Sequence, residues 1–481
     1  MEKAHATHRT SARMGRAPTV QRRERCGRNS RSSMTLLALL LALLLAACAS
    51  SQSPPAVRRP APASTATISP TAGAVGHTHS AGTPGPVAPQ YDAAILQHIL
   101  DGMTLDQKLG QLFVVEYLYP DADHPDLDNM IGQMGAGGVI LYQSMNIESV
   151  AQMQRLTADM QARARIPLIL GADQEGGGDD QIDTIFGPHP AAWDIGQTGD
   201  PGVAAQNAAR MAGELKQLGM NADFAPVVDV LTPRTAWIRA FSRSPDMVAR
   251  MGVAQVDAYQ QNGIMACPKH FPGLGATVVN PHDALPVINS SRAFIEQHDL
   301  APYRALIAHD PAMIMTTDLL MPALDPAMPA ELSYPIVTGV LRQELGYDGV
   351  VITDALYMGG VTDRYSMAEA GVLAILAGND LLEGPWDTEQ MRAMVDALRA
   401  AVRSGRLPEA QVNQSVMRIL RLKQRFGLLP HVPLPRRQPT PGGDAPSAGP
   451  RRPARTRWCL IQYPDIAHKG DLRASFAWVH I

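Results

Sequence analysis

The sequence is poor in cysteine, and the few cysteines are too far apart to share a site. Among 481 residues there are four, Cys26, Cys48, Cys267 and Cys459. No two of them have the CxxC or CxxxH spacing that is typical of a zinc site or a redox-active pair. The sequence therefore argues against both kinds of site, and against a disulfide framework.

The sequence also lacks an apolar run long enough to cross a bilayer. The run at residues 34–47 has about a dozen core apolar residues, whereas a spanning helix needs about twenty. It follows a basic stretch, residues 22–33, which is the layout of an export signal. The run ends in Leu45-Ala46-Ala47-Cys48, which resembles the lipobox of bacterial lipoproteins.

This resemblance implies a lipoprotein signal region over residues 1–48, with cleavage before Cys48 and attachment of lipid to its thiol. The protein would then be exported and held at the extracytoplasmic side of a membrane by lipid at Cys48. An ordinary signal peptide with an incidental cysteine is the alternative.

Positive charge is scarce in the middle of the chain. Residues 1–33 and 431–481 are both basic, which leaves 25 Lys and Arg against 40 Asp and Glu between residues 34 and 430, a net charge of −15. Because nucleic acid binding depends on neutralising phosphates, an acidic middle argues against nucleic acid as a partner.

Two further segments have compositions unlike that of a folded domain. Residues 49–90 are rich in Ala, Pro, Ser and Thr, a composition typical of an extended linker. Residues 431–481 are rich in Pro and Arg and have no helix or strand periodicity, so we expect a disordered tail. The sequence thus predicts one folded domain over residues 91–430.

Within that domain, short β-rich runs alternate with longer segments of helical periodicity, which indicates parallel strands joined by helices. Eight runs can be counted, and eight units fit an α/β fold of the (β/α)8 TIM-barrel class. The runs are GQLFVVEYL from Gly110, GGVILY from Gly137, PLILGAD from Pro167, NADFAPVVDV from Asn221, IMACPKHF from Ile264, AMIMTTD from Ala312, GVVITDA from Gly349 and NDLLEGP from Asn379.

Six of these runs end on charged or polar residues. They are Asp173, Asp229, Lys269 with His270, Asp318, Asp354 and Glu383. In a parallel barrel the carboxyl ends of the strands surround the active site, so we expect these side chains to share one mouth.

Four motifs in this region, taken in order along the chain, resemble those of glycoside hydrolase family 3 and of its β-N-acetylhexosaminidase branch. ADQEGG around Asp173 is similar to the family's DxEGG, and NADFAPVVDV followed by Arg239-Ala240-Phe241 resembles NFAPVxDV and RSFG. KHFPGLG from Lys269, followed by Asn280-Pro281-His282, resembles KHFPGHG followed by Asp-Ser-His. GVVITDAL resembles the family's seventh strand.

The resemblance implies that Asp354 is the catalytic nucleophile and that His282, on the loop after strand five, is the acid–base. It also implies that Asp173, Arg239, Lys269 and His270 bind the terminal sugar. The alternative for Lys269 is that it serves only to pair with Asp173 or Asp229 within the barrel. Glu175 is interpreted as structural, and the reaction needs no metal or organic cofactor.

The sequence departs from the family pattern around the proposed sugar site. The aspartate that orients the catalytic histidine is Asn280 here, the second histidine of KHFPGHG is Leu274, and Asp318 stands where the branch often has histidine. The DQEGG segment continues as GDDQIDTIF, without the family's arginines. An amide cannot stabilise an imidazolium by charge, so we expect His282 to be a weaker acid–base than usual, unless Asp283 substitutes.

The function predicted from these residues is a retaining exo-glycosidase that removes terminal β-linked N-acetylglucosamine from cell-wall or chitin-type oligosaccharides through a covalent glycosyl-enzyme. Two alternatives remain open: a β-glucosidase-type hydrolase of the same family, or a non-catalytic glycan-binding lipoprotein. An oligosaccharide is the expected partner in all three.

Overall fold

Eight short parallel strands form the centre of the structure, a computed structural model that describes residues 91–235 and 238–429. The strands are β1 Phe113–Glu116, β2 Gly138–Ile140, β3 Ile169–Ala172, β4 Ala222–Asp223, β5 Met265–Ala266, β6 Met313–Met315, β7 Val350–Ala355 and β8 Leu381–Glu383. The predicted signal region 1–48 with Cys48, the linker 49–90 and the tail 431–481 lie outside the described residues.

The strands follow one another around a barrel, in the order β5-β4-β3-β2-β1-β8-β7-β6, and every pair is parallel. The ring is completed between the segments that contain β5 and β6. Phe271 N–H donates to the Met315 carbonyl over 2.8 Å, and Met315 N–H donates to the Pro268 carbonyl over 3.1 Å. The predicted (β/α)8 barrel is thereby confirmed.

All eight predicted runs contain a strand, but the fourth and fifth strands are much shorter than predicted. The run from Asn221 to Val230 contributes only Ala222 and Asp223 to a regular strand. Pro226 has no N–H to continue a ladder, and after it only Val227 regains an isolated bridge, to Lys269. Proline therefore ends the regular ladder just before the residues that build the site.

Helices and turns connect the strands. The α-helices are α1 Ala93–Asp101, α2 Leu105–Gly110, α3 Pro125–Leu127, α4 Val150–Arg163, α5 Asp183–Phe186, α6 Ala192–Thr198, α7 Pro201–Gln217, α8 Pro245–Gln261, α9 Arg292–Gln297, α10 Ala301–Ile307, α11 Gly359–Thr362, α12 Met367–Ala377, α13 Thr388–Arg403 and α14 Glu409–Arg425. Asp128–Gln133 and Pro335–Glu344 are π-helical, and Ala330–Leu332 is a 3-10 turn.

Local sequence signals mark where several helices begin. Ser149, Asp200 and Ser244 each accept a backbone N–H of the first turn through the side chain, and α7 and α8 both start with proline at a position where no N–H is needed. The strands between the helices are buried on both faces, which explains why they read as continuous apolar runs. Within the described residues, no helix is both long and apolar enough to span a membrane.

Candidate active site

The residues predicted at strand ends do meet at the carboxyl-terminal mouth of the barrel. Lys269 is its central cation, with a side chain that is only 3% exposed. Its Nζ forms an ion pair with Asp173 and lies 2.8 Å from Glu175 Oε1. Burial would lower the pKa of Lys269, but the two carboxylates outweigh it and raise that pKa, so the lysine stays charged.

Arg239, on the loop after β4, binds Glu175 in a forked geometry. Its Nε and Nη2 donate to the two carboxylate oxygens of Glu175 over 2.7 Å each, and its Nε is 3.0 Å from Asp179. Burial would raise the pKa of Glu175, but the charges of Arg239 and Lys269 hold it well below its usual range. Glu175 therefore positions both cations, in agreement with its predicted structural role.

Among the described residues, Asp229 forms its ion pair with His270 and not with Lys269. His270 Nδ1 lies 2.7 Å from Asp229 Oδ2, and the other oxygen of Asp229 accepts the Leu274 N–H over 2.6 Å. Asp229 is completely buried. The pair therefore fixes the imidazole at the mouth and leaves Nε2 free of this contact.

Asp354 is held at the end of β7 by three hydrogen bonds. Its Oδ2 accepts from Thr317 Oγ1 over 2.8 Å, and its Oδ1 accepts the Ala355 N–H over 3.0 Å. The Asp354 N–H itself donates to Glu331 Oε2 over 3.1 Å. These hydrogen bonds fix the orientation of the carboxyl group that the sequence predicts to be the nucleophile.

Asp318 and Glu331 place two further carboxyl groups beside Asp354. Both residues are completely buried, and neither oxygen of Asp318 has a hydrogen-bond partner within the described part of the chain. Burial, followed by the charge of Asp354, raises the pKa of Asp318 to about 9. Burial, followed by the charges of Asp318 and Asp354, raises the pKa of Glu331 well above its usual value. At neutral pH Asp318 therefore carries a proton, and the environment of Glu331 favours its protonated form.

The loop that carries His282 packs on the segment that follows Asp354. Gly359 N–H donates to the His282 carbonyl over 3.2 Å, and Gly360 N–H donates to the Pro281 carbonyl over 3.1 Å. The His282 side chain is exposed, and no hydrogen bond or ion pair to its ring forms among the residues the structure describes. The backbone of the His282 loop is thus hydrogen-bonded to residues that lie five and six positions after Asp354.

Asn280 does not orient the His282 ring. Its side-chain oxygen instead accepts the His282 backbone N–H over 3.1 Å, which closes a local turn. Asp283 is also exposed, and its N–H donates to the Asn280 carbonyl over 3.0 Å. Among the described residues, neither side chain bonds to the His282 ring, and the weaker acid–base stays a prediction.

Glu116 and Glu383 complete the mouth on the β1 and β8 side. Glu116 accepts a hydrogen bond from Tyr142 Oη over 3.0 Å and another from Tyr357. Burial raises the pKa of Glu116 to about 7 despite these two bonds. Sequence reasoning missed Glu116, although it ends its strand on a carboxylate just as the other site residues do, and it assigned no role to Glu383.

No set of three or more His, Cys, Asp or Glu side chains in residues 91–235 and 238–429 is arranged to bind a metal ion. What the mouth offers is a hydrogen-bonded carboxylate, an exposed imidazole on a docked loop, and paired charges suited to polyol recognition.

The glycosyl hydrolase family 3 N-terminal domain matches residues 104–422, which include all of the strands and every residue of this mouth. The chain belongs to glycosyl hydrolase family 3. Beta-hexosaminidase A of Pseudoalteromonas piscicida is 33% identical over 376 residues, which cover 67% of this chain and 62% of that protein. The beta-hexosaminidase of Nitrosomonas eutropha is 32% identical over 303 residues, covering 60% of this chain and 85% of that protein.

Solved structures of family 3 proteins have the same fold. A beta-N-acetylglucosaminidase from Paenibacillus sp. FPU-7 is 36% identical, with a TM-score of 0.65 over 68% of this chain and 63% of that one. A beta-N-acetylhexosaminidase from Beutenbergia cavernae is 29% identical, with a TM-score of 0.62 over 67% of this chain and 99% of that one. The chain therefore spans less than two thirds of the Pseudoalteromonas and Paenibacillus relatives and nearly the full length of the Beutenbergia protein.

Proposed function

We propose that this family 3 chain is a retaining exo-glycosidase that hydrolyses terminal β-linked N-acetylglucosamine from cell-wall or chitin-type oligosaccharides. The observation that carries the proposal is the docking of the His282 loop on Gly359 and Gly360, directly after the strand that presents Asp354. This contact puts a carboxylate and a group able to donate a proton at one barrel mouth. Similarity to enzymes named beta-hexosaminidase supports the choice of sugar.

In the first step Asp354 attacks the anomeric carbon of the terminal sugar. A bond forms between a carboxylate oxygen and that carbon, while the glycosidic carbon–oxygen bond breaks and its electron pair stays on the leaving oxygen. The His282 imidazolium gives its proton to that oxygen. In the second step neutral His282 accepts a proton from water, which attacks the same carbon and releases Asp354.

Charged groups on the β3 to β5 side bind the sugar hydroxyls in this scheme. Asp173 accepts hydrogen bonds, Lys269 and Arg239 donate them, and His270 is oriented by Asp229 to use its free nitrogen. Since Glu175 already fixes both cations, little side-chain entropy is lost when the sugar binds.

The proposal is tested by the hydrolysis of nitrophenyl N-acetyl-β-glucosaminide and of nitrophenyl β-glucoside by the full chain. We expect release from the N-acetyl sugar, and a loss of at least about a hundredfold in kcat in Asp354→Asn and in His282→Ala. Asp363→Asn, an exposed aspartate after β7, is the matched control and should keep full activity.

The other outcomes separate the alternatives. Preference for the glucoside would favour the β-glucosidase-type reading, and binding of N-acetylglucosamine oligomers without hydrolysis would favour a glycan-binding lipoprotein. Retention of the anomeric configuration is tested separately in two ways. Proton magnetic resonance identifies the anomer of the sugar that is released first, and mass spectrometry detects sugar bound to Asp354 after treatment with a fluorosugar.

We also propose that lipid on Cys48 anchors the protein at the extracytoplasmic side of a membrane. The support is the lipobox-like sequence from Leu45 to Cys48 after a basic stretch and an apolar run. Native protein should partition with membranes and with the detergent phase of Triton X-114. Cys48→Ser, which keeps the apolar run, should move to the aqueous phase, and unchanged partitioning of this variant would refute the anchor.

A further inference from the structure

The segment between β3 and α7 contains a buried histidine with a carboxylate at each ring nitrogen. The His189 side chain is 0% exposed. Its Nδ1 lies 3.0 Å from both oxygens of Asp180, and its Nε2 lies 2.6 Å from Glu214 Oε2 on α7. The other oxygen of Glu214 accepts from Arg210 Nε over 2.9 Å. His189, Asp180 and Glu214 together are called the His189 network below.

The hydrogen bonds of Asp180 show which form of the imidazole this geometry requires. Asp180 also accepts the His189 backbone N–H over 2.7 Å and Gln174 Nε2 over 2.8 Å. Burial would raise the pKa of Asp180, but the hydrogen bonds from His189 and Gln174 hold it below its ordinary value. Because an ionised carboxylate can only accept, His189 Nδ1 must donate to Asp180, and Nε2 likewise donates to Glu214. The ring is therefore an imidazolium at neutral pH.

His189 and Asp180 hold the loop that carries Glu175. Asp180 accepts from the side chain of Gln174, which directly precedes Glu175. The His189 carbonyl accepts the N–H of Gly177, two residues after Glu175, over 3.1 Å. Both sides of Glu175 are thus tied to the histidine or to the carboxylate that the histidine binds.

Two glycines bring this loop close to the segment that follows His189. Gly176 and Gly177 have φ of +79° and +65°, in the left-handed region. A Cβ on Gly176 would lie 2.5 Å from the Pro190 carbonyl oxygen, and one on Gly177 would lie 2.6 Å from Ala191 Cβ. A displacement of residues 189–191 must therefore move the turn that follows Glu175.

Glu175 passes this restraint to the sugar-binding half of the mouth. It accepts two hydrogen bonds of 2.7 Å from Arg239 and lies 2.8 Å from Lys269 Nζ. We propose that the His189 imidazolium is a positioning residue for this half of the mouth, which holds Glu175 and its two cations in place while it is charged and loosens them when it loses its proton. Affinity for the terminal sugar then falls above neutral pH. The inference rests on the proposed function only in placing the sugar at these cations.

The direction of the pH effect follows from the two carboxylates. Burial would lower the pKa of His189, but hydrogen bonds to Asp180 and Glu214 raise it above its ordinary value. A neutral ring has one N–H and can donate to only one of them, so the other carboxylate loses its donor as pH rises. A buried carboxylate that faces a lone pair is unfavourable, and the segment shifts to relieve it.

Three further titratable groups pack around the His189 network. They are Arg210 on α7, Tyr259 on α8 and Asp223 at the end of β4, which accepts the Gln174 N–H over 3.0 Å. Burial raises the pKa of both Tyr259 and Asp223 well above their ordinary values. Within the described part of the chain, none of the three hydrogen-bonds to the imidazole.

The test compares native protein with Glu214→Gln by the KM for nitrophenyl N-acetyl-β-glucosaminide between pH 6 and pH 10. A glutamine at this position can keep its oxygen on Arg210 and direct its amide N–H to His189 Nε2, which suits a neutral ring that donates to Asp180. We expect the KM of native protein to rise about 3- to 10-fold across this range, and that of Glu214→Gln to rise less than about twofold. Other groups that titrate in the range are present in both proteins, so the difference between the profiles reports the His189 network.

His189→Gln removes the charge itself. One amide cannot donate to both carboxylates in the geometry of the ring, so we expect KM to rise about 3- to 10-fold at pH 7. The value of kcat should stay within about threefold, because Asp354 and the His282 loop follow other strands. Glu389→Gln, an exposed glutamate on α13, is the matched control and should change neither KM nor its pH profile.

Nitrogen-15 magnetic resonance of the histidine rings gives a readout that needs no substrate. The His189 signal, assigned by its loss in His189→Gln, should show both nitrogens protonated at pH 7. A neutral ring at that pH would overturn the inference, whether or not the protein hydrolyses glycosides.

Two kinetic results would also overturn the inference and leave the proposed glycosidase standing. One is the same KM profile in native protein and Glu214→Gln, and the other is a lower melting temperature in His189→Gln with an unchanged KM. If no glycoside is hydrolysed, calorimetry with N-acetylglucosamine replaces KM. A pH dependence of binding that is lost in Glu214→Gln would then support the inference and refute only the proposed hydrolysis, whereas an absence of binding would overturn both.

Discussion

At the scale of one residue, the buried Asp318 makes the free energy of unfolding depend on pH. Its folded pKa of about 9 lies above the ordinary value of 3.8, so the folded protein binds more protons than the unfolded chain between these values. The free energy of unfolding must therefore fall as pH rises through this window. Asparagine resembles the protonated acid but does not titrate.

We expect Asp318→Asn to raise the free energy of unfolding at pH 8 by about 1–3 kcal/mol and to flatten its dependence on pH between 5 and 9. Denaturant unfolding at several pH values measures both effects. The exposed Asp363→Asn should change neither, and an unaltered pH profile in Asp318→Asn would show that Asp318 is ionised in the folded protein.

Asn280 is the second position where one residue decides a property of the site. It caps the His282 backbone N–H and leaves the exposed ring without a charged partner. We expect Asn280→Asp to keep this cap and to move the alkaline limb of kcat upward, since a carboxylate stabilises the imidazolium. The pH profile of kcat checks this prediction. If neither the activity nor the alkaline limb of kcat increased in Asn280→Asp, that result would count against the interpretation of His282 as a weak acid–base.

At the scale of elements, the His282 loop depends on two glycines at the start of α11. A Cβ on Gly359 would lie 2.9 Å from the His282 carbonyl oxygen and 2.9 Å from Asp283, both backbone atoms that cannot easily move. We expect Gly359→Ala to displace the loop and to lower kcat about tenfold or more, with a smaller effect on KM, because His282 is displaced while the sugar-binding half of the mouth is untouched. Gly339→Ala, with open space around it, is the control in steady-state kinetics.

The packing of α14 under the barrel gives a second prediction at this scale. Lys423 is completely buried, and within the described part of the chain its Nζ donates only to Gln111 Oε1, over 2.9 Å. Burial lowers its pKa to about 7. Between pH 7 and the ordinary value of 10.5 the unfolded chain binds the extra proton, so this lysine makes stability rise with pH.

We expect Lys423→Met to raise the free energy of unfolding at pH 6 by about 1–3 kcal/mol, because a buried amine is replaced by an apolar chain of similar length. Thermal unfolding at pH 6 and pH 9 measures it, and the gain should shrink at the higher pH. The exposed Lys216→Met serves as the control, and a lower melting temperature in Lys423→Met would contradict the account.

At the scale of the whole molecule, the first and last described helices pack on each other. Asp92 N–H donates to Gln424 Oε1 over 3.0 Å, which joins the start of α1 to the end of α14. We expect a fragment of residues 91–429 to be soluble and to unfold cooperatively, since the barrel and its core lie within these bounds. Circular dichroism and denaturant unfolding test this, and an insoluble or unfolded fragment would show that the predicted domain boundaries are wrong.

The sequence by itself determined the barrel and most of its mouth. Eight apolar runs ending in residues such as Asp173, Lys269 and Asp354 carry the signal, because parallel strands are buried on both faces and their carboxyl ends meet at one edge. Strand length was less predictable, as the two-residue β4 shows, because Pro226 ends a ladder that β-propensity alone would continue.

Only the tertiary structure decided how the charges pair. Glu175 and Arg239 are 64 residues apart, and the sequence did not indicate that Glu175 would bind both Arg239 and Lys269. Nor did it indicate that Glu383, at the end of β8, would form no ion pair with Lys or Arg among the described residues. It likewise did not reveal Glu116 beside Tyr142. Such contacts depend on which strands become neighbours when the barrel closes, and the pKa of a carboxyl depends on the burial that closure imposes.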